Sequence, residues 1–235
     1  MKTVDEFKEG QVLLVDKPLN WTSFQVVNKI RWSIRKKFSL KKIKVGHAGT
    51  LDPLATGLLI LCTGKFTKEI HTYQGQVKEY TGTITLGGTT PSYDLESEID
   101  HHFEYKHISE NQLKEATLQF LGDIDQKPPI FSALKKDGKR LYEIARKGET
   151  VEIPFRKVRI DAFEITNIDL PNVEFRVVCS KGTYIRSLAY DFGKALDSGA
   201  HLSVLRRTKI GEFKVEDAID PIAFVDDLLG GLKED

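Results

Sequence analysis

Apolar and polar positions change period several times along this chain, and each change marks an element. Gln11–Asp16 (QVLLVD) is a short apolar run of strand length, closed by the turn Lys17-Pro18-Leu19-Asn20. From Thr22 the repeat lengthens: Phe24, Val27, Ile30 and Ile34 recur at helical spacing as far as Lys37. Thr22 with Gln25 three residues on is the capping-box pattern that opens such a helix. The unbroken run Leu58–Cys62 reads as a strand and Phe66–Tyr73 as a short helix. In Glu79–Leu86 the residues Tyr80, Gly82, Ile84 and Leu86 alternate with Glu79, Thr81, Thr83 and Thr85, the period of a half-exposed strand.

Further on, Gly87–Asp94 is a loop by composition, and Ser109 with Gln112 caps a helix expected to reach Leu121. Residues 126–150 then combine a Pro-Pro turn, a short extended piece, a tight turn at Asp137-Gly138 and a helix through Arg146. Val158–Ile168 and Val173–Cys179 are strands joined by so short a link that they must run antiparallel. The stripe Ile185, Leu188, Ala189 and Phe192 predicts a helix to about Leu196, and Leu202–Ile210 a closing strand. The tail from Glu216 holds seven acids and one lysine, an acidic helix with Ile222, Phe224, Val225 and Leu228 turned inward. Strands linked mostly by short turns, with helices interspersed, indicate an α+β fold.

At 235 residues the chain fits one large domain, 1–235, with the acidic tail at 216–235. Its apolar runs are far shorter than a bilayer requires, and MKTVDEFKEG has no apolar secretory core. The reading is a cytoplasmic monomer without membrane contact. Cys62 and Cys179 lie in apolar strand-like runs and have no CxxC spacing, so they suggest neither zinc nor a disulfide framework.

The net charge of +1 conceals a strong asymmetry. Residues 29–44 carry eight Lys/Arg and no acid, and residues 127–149 seven against three acids. Those segments together are +12, which leaves −11 for the remainder. Such segments serve either as ordinary solvated faces or as a surface for phosphates, and Phe131, Tyr142 and Ile144 among the second set suit stacked RNA bases.

Candidate chemistry centres on KVGHAGTLDPLATGLLILCTGKFTK, residues 44–68. Gly49 and Gly57 let the backbone bend sharply around Asp52, and Pro53 restricts the direction of its carboxylate. The same Asp-Pro pair also opens ordinary helical turns, with Asp as the cap. Asp94 offers a second carboxylate or an Asx turn. Asp100-His101-His102 with Glu104 and His107 invites a metal, but adjacent strand histidines point to opposite faces, which favours a solvated linker. No metal and no cofactor is indicated.

The pattern Gly46-His47-x-Gly49-x-Leu51-Asp52-Pro53-x-Ala55-x-Gly57-x-Leu59 resembles the signature of the TruB family of tRNA pseudouridine synthases. DKPLNWTSFQVVNKIR resembles that family's first motif, with Asn20 where glycine is common, and KGTYIR at 181–186 resembles a third. The resemblance implies the pseudouridine synthase fold, a long mixed, mostly antiparallel sheet flanked by helices. It implies a mobile RNA-gripping thumb at residues 126–150, with Lys135, Lys136, Lys139 and Arg140 as its cations. It also implies that Asp52 is catalytic, that Arg186 opposes its charge, that Tyr80 stacks on a flipped base, that Tyr184 and Leu205 line the pocket and that His47 fills the vacated space. Without the motif, Tyr80, Tyr184 and Leu205 would read as core and Arg186 as a surface arginine. The implied substrate is the uridine at position 55 in the T-arm loop of tRNA, isomerised without a cofactor. Many relatives continue into a PUA-like domain, and this chain is expected to lack one. Two rival readings are a non-catalytic tRNA-binding or tRNA-folding protein of the same fold, and a hydrolase using Asp52 with Asp94.

Overall fold

The computed structural model describes residues 2–132, 134–136, 139–141 and 152–230. In chain order the first elements are α1 (Val4–Glu9), β1 (Val12–Lys17), α2 (Ser23–Lys37), β2 (Val45–His47), β3 (Ala55–Thr63), α3 (Ile70–Gly75) and β4 (Lys78–Leu86). Then come β5 (Gly88–Thr89), β6 (His101–His102), α4 (Glu110–Leu118), β7 (Gly122–Gln126), β8 (Lys135–Lys136) and β9 (Lys139–Arg140). The remainder comprises β10 (Arg156–Asp169), β11 (Asn172–Cys179), α5 (Ile185–Ala195), β12 (Ala200–Ile210), β13 (Phe213–Lys214) and α6 (Pro221–Leu229). The architecture is α+β with a mainly antiparallel sheet. The chain forms two compact units, residues 1–80 with 206–235, and residues 81–205.

In the first unit the strand order is β1-β3-β12-β4, with β2 beside β3 and β13 beside β12. The uninterrupted apolar run of β3 has a simple cause: both of its faces are covered. Leu59 and Leu61 pack with Val15, Val26, Ile30, Ile34 and Leu228, whereas Leu58 and Ile60 pack with Ala48, Ile210 and Val215. A strand buried on both sides needs apolar residues at every position. Helix α2 opens on the expected capping box, Thr22 accepting from Gln25 N and Gln25 closing back on Thr22. Its inward face differs in one position, since Val26 is buried while Phe24 stands 62% exposed.

Residues 64–75 are a 3₁₀ turn, Gly64–Glu69, followed by α3, and not the single helix expected. Gly64 there has φ of 52°, and a Cβ on it would meet the Lys8 carbonyl oxygen at 2.0 Å. In α6, Val225 and Leu228 are buried and Phe224 packs beside them, while Ile222 faces solvent.

The second unit orders its strands β12-β4-β11-β10-β7. β10 and β11 pair antiparallel from Asp169↔Asn172 onward. Their core is aromatic: Phe163 meets Phe175 edge-on at 6.0 Å and Phe192 at 5.3 Å, and Phe120 joins them. The α5 stripe Ile185, Leu188, Ala189 and Phe192 is buried as its spacing predicts. Helix α4 ends at Leu118, earlier than expected. His101 and His102 are exposed and pair as β6 with β5.

β8 and β9 pair antiparallel, Lys136 opposite Lys139. Asp137, Gly138 and the helix expected through Arg146 lie outside the described residues. Among the described residues no helix is long and apolar enough to cross a membrane, and no group of His, Cys, Asp and Glu is arranged to hold a metal.

Candidate active site

In the first unit, the segment from β2 to β3 carries Asp52 on a loop fixed from several sides. The Asp52 carbonyl accepts from Ala55 N at 3.0 Å, closing a reverse turn that has Pro53 at its second position. Asp52 is therefore no helix cap, and its side chain is half-buried. One residue earlier, buried Ser23 accepts from Leu51 N at 2.9 Å and donates to Leu51 O at 3.1 Å. One residue later, the Pro53 carbonyl accepts from Asn20 N at 2.9 Å. Asn20 has φ of 64°, the left-handed conformation that asparagine tolerates where glycine is usual.

Beneath this loop lies a cation, the last residue of β1. Lys17 is fully buried, and its Nζ donates to Pro18 O at 2.9 Å, Trp21 O at 2.5 Å and Pro53 O at 3.3 Å. Burial pushes its pKa down to about 8; the charge of Asp52 works against that shift and the charge of Arg207 adds to it.

Arg207, 1% exposed, is a second unforeseen residue. Its Nε donates to Leu58 O at 2.7 Å and its Nη2 to Gly49 O at 3.2 Å, so one guanidinium holds the backbone on both sides of Asp52. The only hint in the chain was a pair of arginines in a strand, and Arg206 takes the other role, a bidentate pair with Asp16 at 2.6 and 3.1 Å.

His47 sits on β2 opposite Leu61. Burial holds its imidazole below the usual range, Arg207 pushes the same way and the backbone of Gly49 opposes them. A neutral ring near pH 7 results. Its Nδ1 is buried with no hydrogen-bond partner among the described residues. Tyr80, on β4, is 8% exposed.

In the second unit, Arg186 is on the first turn of α5 and is 3% exposed, not a surface arginine. Its Nη1 donates to Ser92 O at 3.1 Å and its Nη2 to Phe131 O at 2.9 Å, while its Nε lies 3.6 Å from Asp94 Oδ2. Asp94 Oδ1 accepts from Glu96 N at 3.0 Å, the Asx turn that its residue type suggested. Tyr184 caps α5 without using its side chain. Buried Gln126 grips its backbone in both directions, donating to Tyr184 O at 3.0 Å and accepting from Tyr184 N at 2.8 Å. The guanidinium carbon of Arg156 lies 4.3 Å from the Tyr184 ring centroid. Nothing in the spacing marked Gln126 or Arg156. Leu205 is half-buried on β12.

His47, Asp52 and Tyr80 thus belong to the first unit, and Tyr184, Arg186 and Leu205 to the second. A half-buried carboxylate thus stands on a loop whose backbone is held by two buried cations, Lys17 and Arg207. The model of the TruB family pseudouridylate synthase N-terminal domain matches residues 35–185, and that of the tRNA pseudouridylate synthase B C-terminal domain matches residues 186–228. The chain belongs to the TruB family.

Similar TruB-family proteins include one from Flavobacterium johnsoniae named tRNA pseudouridine synthase B, 66% identical over 227 residues, 96% of this chain and 99% of its own length. Another of that name, from Phocaeicola vulgatus, is 57% identical over 93% of each chain. Among solved structures, a chain in a Cbf5-Nop10-Gar1 complex is 31% identical with a TM-score of 0.72, over 97% of this chain and 57% of that one. A chain in an H/ACA RNP bound to a substrate RNA containing 2′-deoxyuridine gives 28% and 0.70, over 99% of this chain and 59% of that one. The TruB chain described here therefore spans rather more than half of those solved chains.

Proposed function

We infer that this chain is a tRNA pseudouridine synthase, and we propose that its target is the uridine at position 55 in the T-arm loop. The reading rests on one observation above all: 96% of the chain aligns at 66% identity with 99% of a tRNA pseudouridine synthase B, and Asp52 stands on a loop built to aim it.

The reaction breaks N1–C1′ and joins C5 to C1′. The proton on C5 is lost and N1 gains one, so there is no net redox change and no group leaves. Asp52 acts at the ribose or base as the catalytic carboxylate. Arg186 opposes its charge, because a carboxylate in a dry pocket would otherwise take up a proton. The target must first leave its stack, at a cost of about a few kcal/mol. Tyr80 supplies a replacement stacking surface, Tyr184 and Leu205 line the slot, and His47 fills the space that the base leaves. Lys135, Lys136, Lys139 and Arg140 hold the backbone phosphates from the thumb, and the protein acts as a cytoplasmic monomer.

Release of tritium from tRNA labelled at uridine C5 tests the reading. Wild type should release it with turnover, and Asp52→Asn should be slower by at least about a hundredfold while still binding tRNA. Normal release by the variant would overturn the catalytic assignment. Binding without release by wild type would favour the non-catalytic reading.

A further inference from the structure

Among the described residues Arg156 is a charged group without a counter-charge. It opens β10, where it pairs with Gln126 of β7, the residue that grips the Tyr184 backbone. Its side chain is half-buried, lies over the Tyr184 ring and makes no ion pair among the described residues. The Nε atom is buried with no hydrogen-bond partner there. Burial lowers the pKa of the group, and only Tyr184 acts in the opposite direction. A guanidinium does not release its proton in proteins, so the penalty remains until an anion arrives.

The geometry limits which anion fits. A Cβ placed on Gly182 would lie 3.6 Å from the guanidinium carbon, 3.6 Å from Nη1 and 3.7 Å from Nη2. Nearly equal distances mean that Gly182 faces the plane of the group and not its edge. The guanidinium carbon also lies over the Tyr184 ring. The packing of these two neighbours sets the orientation of the fork, and among the described residues Tyr184 alone offsets the cost of burying it. Gly182 and its neighbour Lys181 are exposed, so the loop beside the guanidinium is open to solvent. A planar donor edge of fixed direction matches the paired oxygens of a phosphate.

We propose that Arg156 binds a backbone phosphodiester of the RNA next to the nucleotide that enters the Tyr184 pocket. This rests on the RNA-modifying function above and gives that site a phosphate contact. Turning a nucleotide out of its stack swings the adjoining phosphates, and a guanidinium locked on Tyr184 holds one of them where the pocket is lined. One side chain then couples backbone grip to the placement of the tyrosine.

The test measures binding of a T-arm stem-loop against potassium chloride concentration for wild type, Arg156→Met, Arg156→Gln and Arg156→Lys. Loss of one phosphate contact should reduce the slope of log affinity against log salt by about 0.7–0.9. Arg156→Met and Arg156→Gln should both show that reduction with affinity about tenfold weaker at low salt, and Arg156→Lys should restore the slope. Stem-loops carrying a single neutral methylphosphonate should reveal one position where wild type loses about tenfold and Arg156→Met loses nothing further. An unchanged slope in folded Met and Gln variants, with no such position, would overturn the proposal. Reduced turnover with an unchanged slope would instead make Arg156 a brace for Tyr184 or a contact to the base, and would equally overturn it. Wild type that neither binds nor converts the stem-loop would overturn the RNA-modifying reading itself.

Discussion

Gly57→Ala tests how tightly the Asp52 loop depends on the close approach of two strands. Gly57 lies opposite Lys17 on β1 and has φ of 105°, a conformation that costs a residue with a Cβ about 1–2 kcal/mol. The added methyl would stand 2.3 Å from Arg207 O and 2.7 Å from Arg207 N, both backbone atoms of β12. Neither can swing aside as a flexible side chain would, and overpacking of this kind costs about 1–3 kcal/mol more. The sum is about 2–5 kcal/mol, or a fall in melting temperature on the order of 10 °C for a chain of this size. Urea unfolding followed by circular dichroism measures it, with Gly75→Ala as the control, because a Cβ there meets nothing within 4 Å. The control should change stability by less than about 0.5 kcal/mol. Displacing Arg207 also loosens its bonds to Gly49 and Leu58, so tritium release should fall more than the folded fraction does. A loss below about 1 kcal/mol, within the range of an ordinary substitution, would refute the reasoning.

Other expectations follow from the same geometry. Lys17 keeps its proton to about pH 8 when folded against an ordinary 10.5, so between those values the unfolded state binds more protons and stability rises with pH. Cys62, pushed by burial from an ordinary 9 up to about 11, gives the opposite slope. Urea midpoints of wild type minus Lys17→Met should therefore increase from pH 7.5 to 10, and a flat or falling difference would remove the buried ammonium from the account. Phe192→Ala should cost about 3–5 kcal/mol, because the ring is fully buried against Phe163 and Phe120; a denaturant measurement below about 2 kcal/mol would mean that the aromatic cluster does not hold the second unit. Replacing Lys135, Lys136, Lys139 and Arg140 together by alanine should weaken tRNA binding and flatten its salt slope by up to about 3. An unaltered slope would exclude these residues from the interface.

Much of the fold was legible because local chemistry and tertiary demand coincide. The Thr22–Gln25 box placed the start of α2, the unbroken run of β3 matched a strand covered on both faces, and the α5 stripe gave its buried side. Phe24 and Ile222 show where periodicity misleads, since each lies at the edge of an apolar stripe and a one-residue rotation sends it into solvent. The Asp52 loop was visible from its glycines, its proline and its likeness to a family.

Residue order along the chain determined the elements, the cap of α2, the displayed carboxylate and the basic segments, because those depend on neighbours a few positions apart. Only the tertiary structure decided that Lys17 is sealed beneath Pro53, that Arg207 holds the backbone on both sides of Asp52, and that Arg156 lies over the Tyr184 ring. Each of these joins residues far apart in sequence. A lysine or arginine read from the chain alone is a solvated cation, and burial by distant strands is what turns it into a clamp or a binding site.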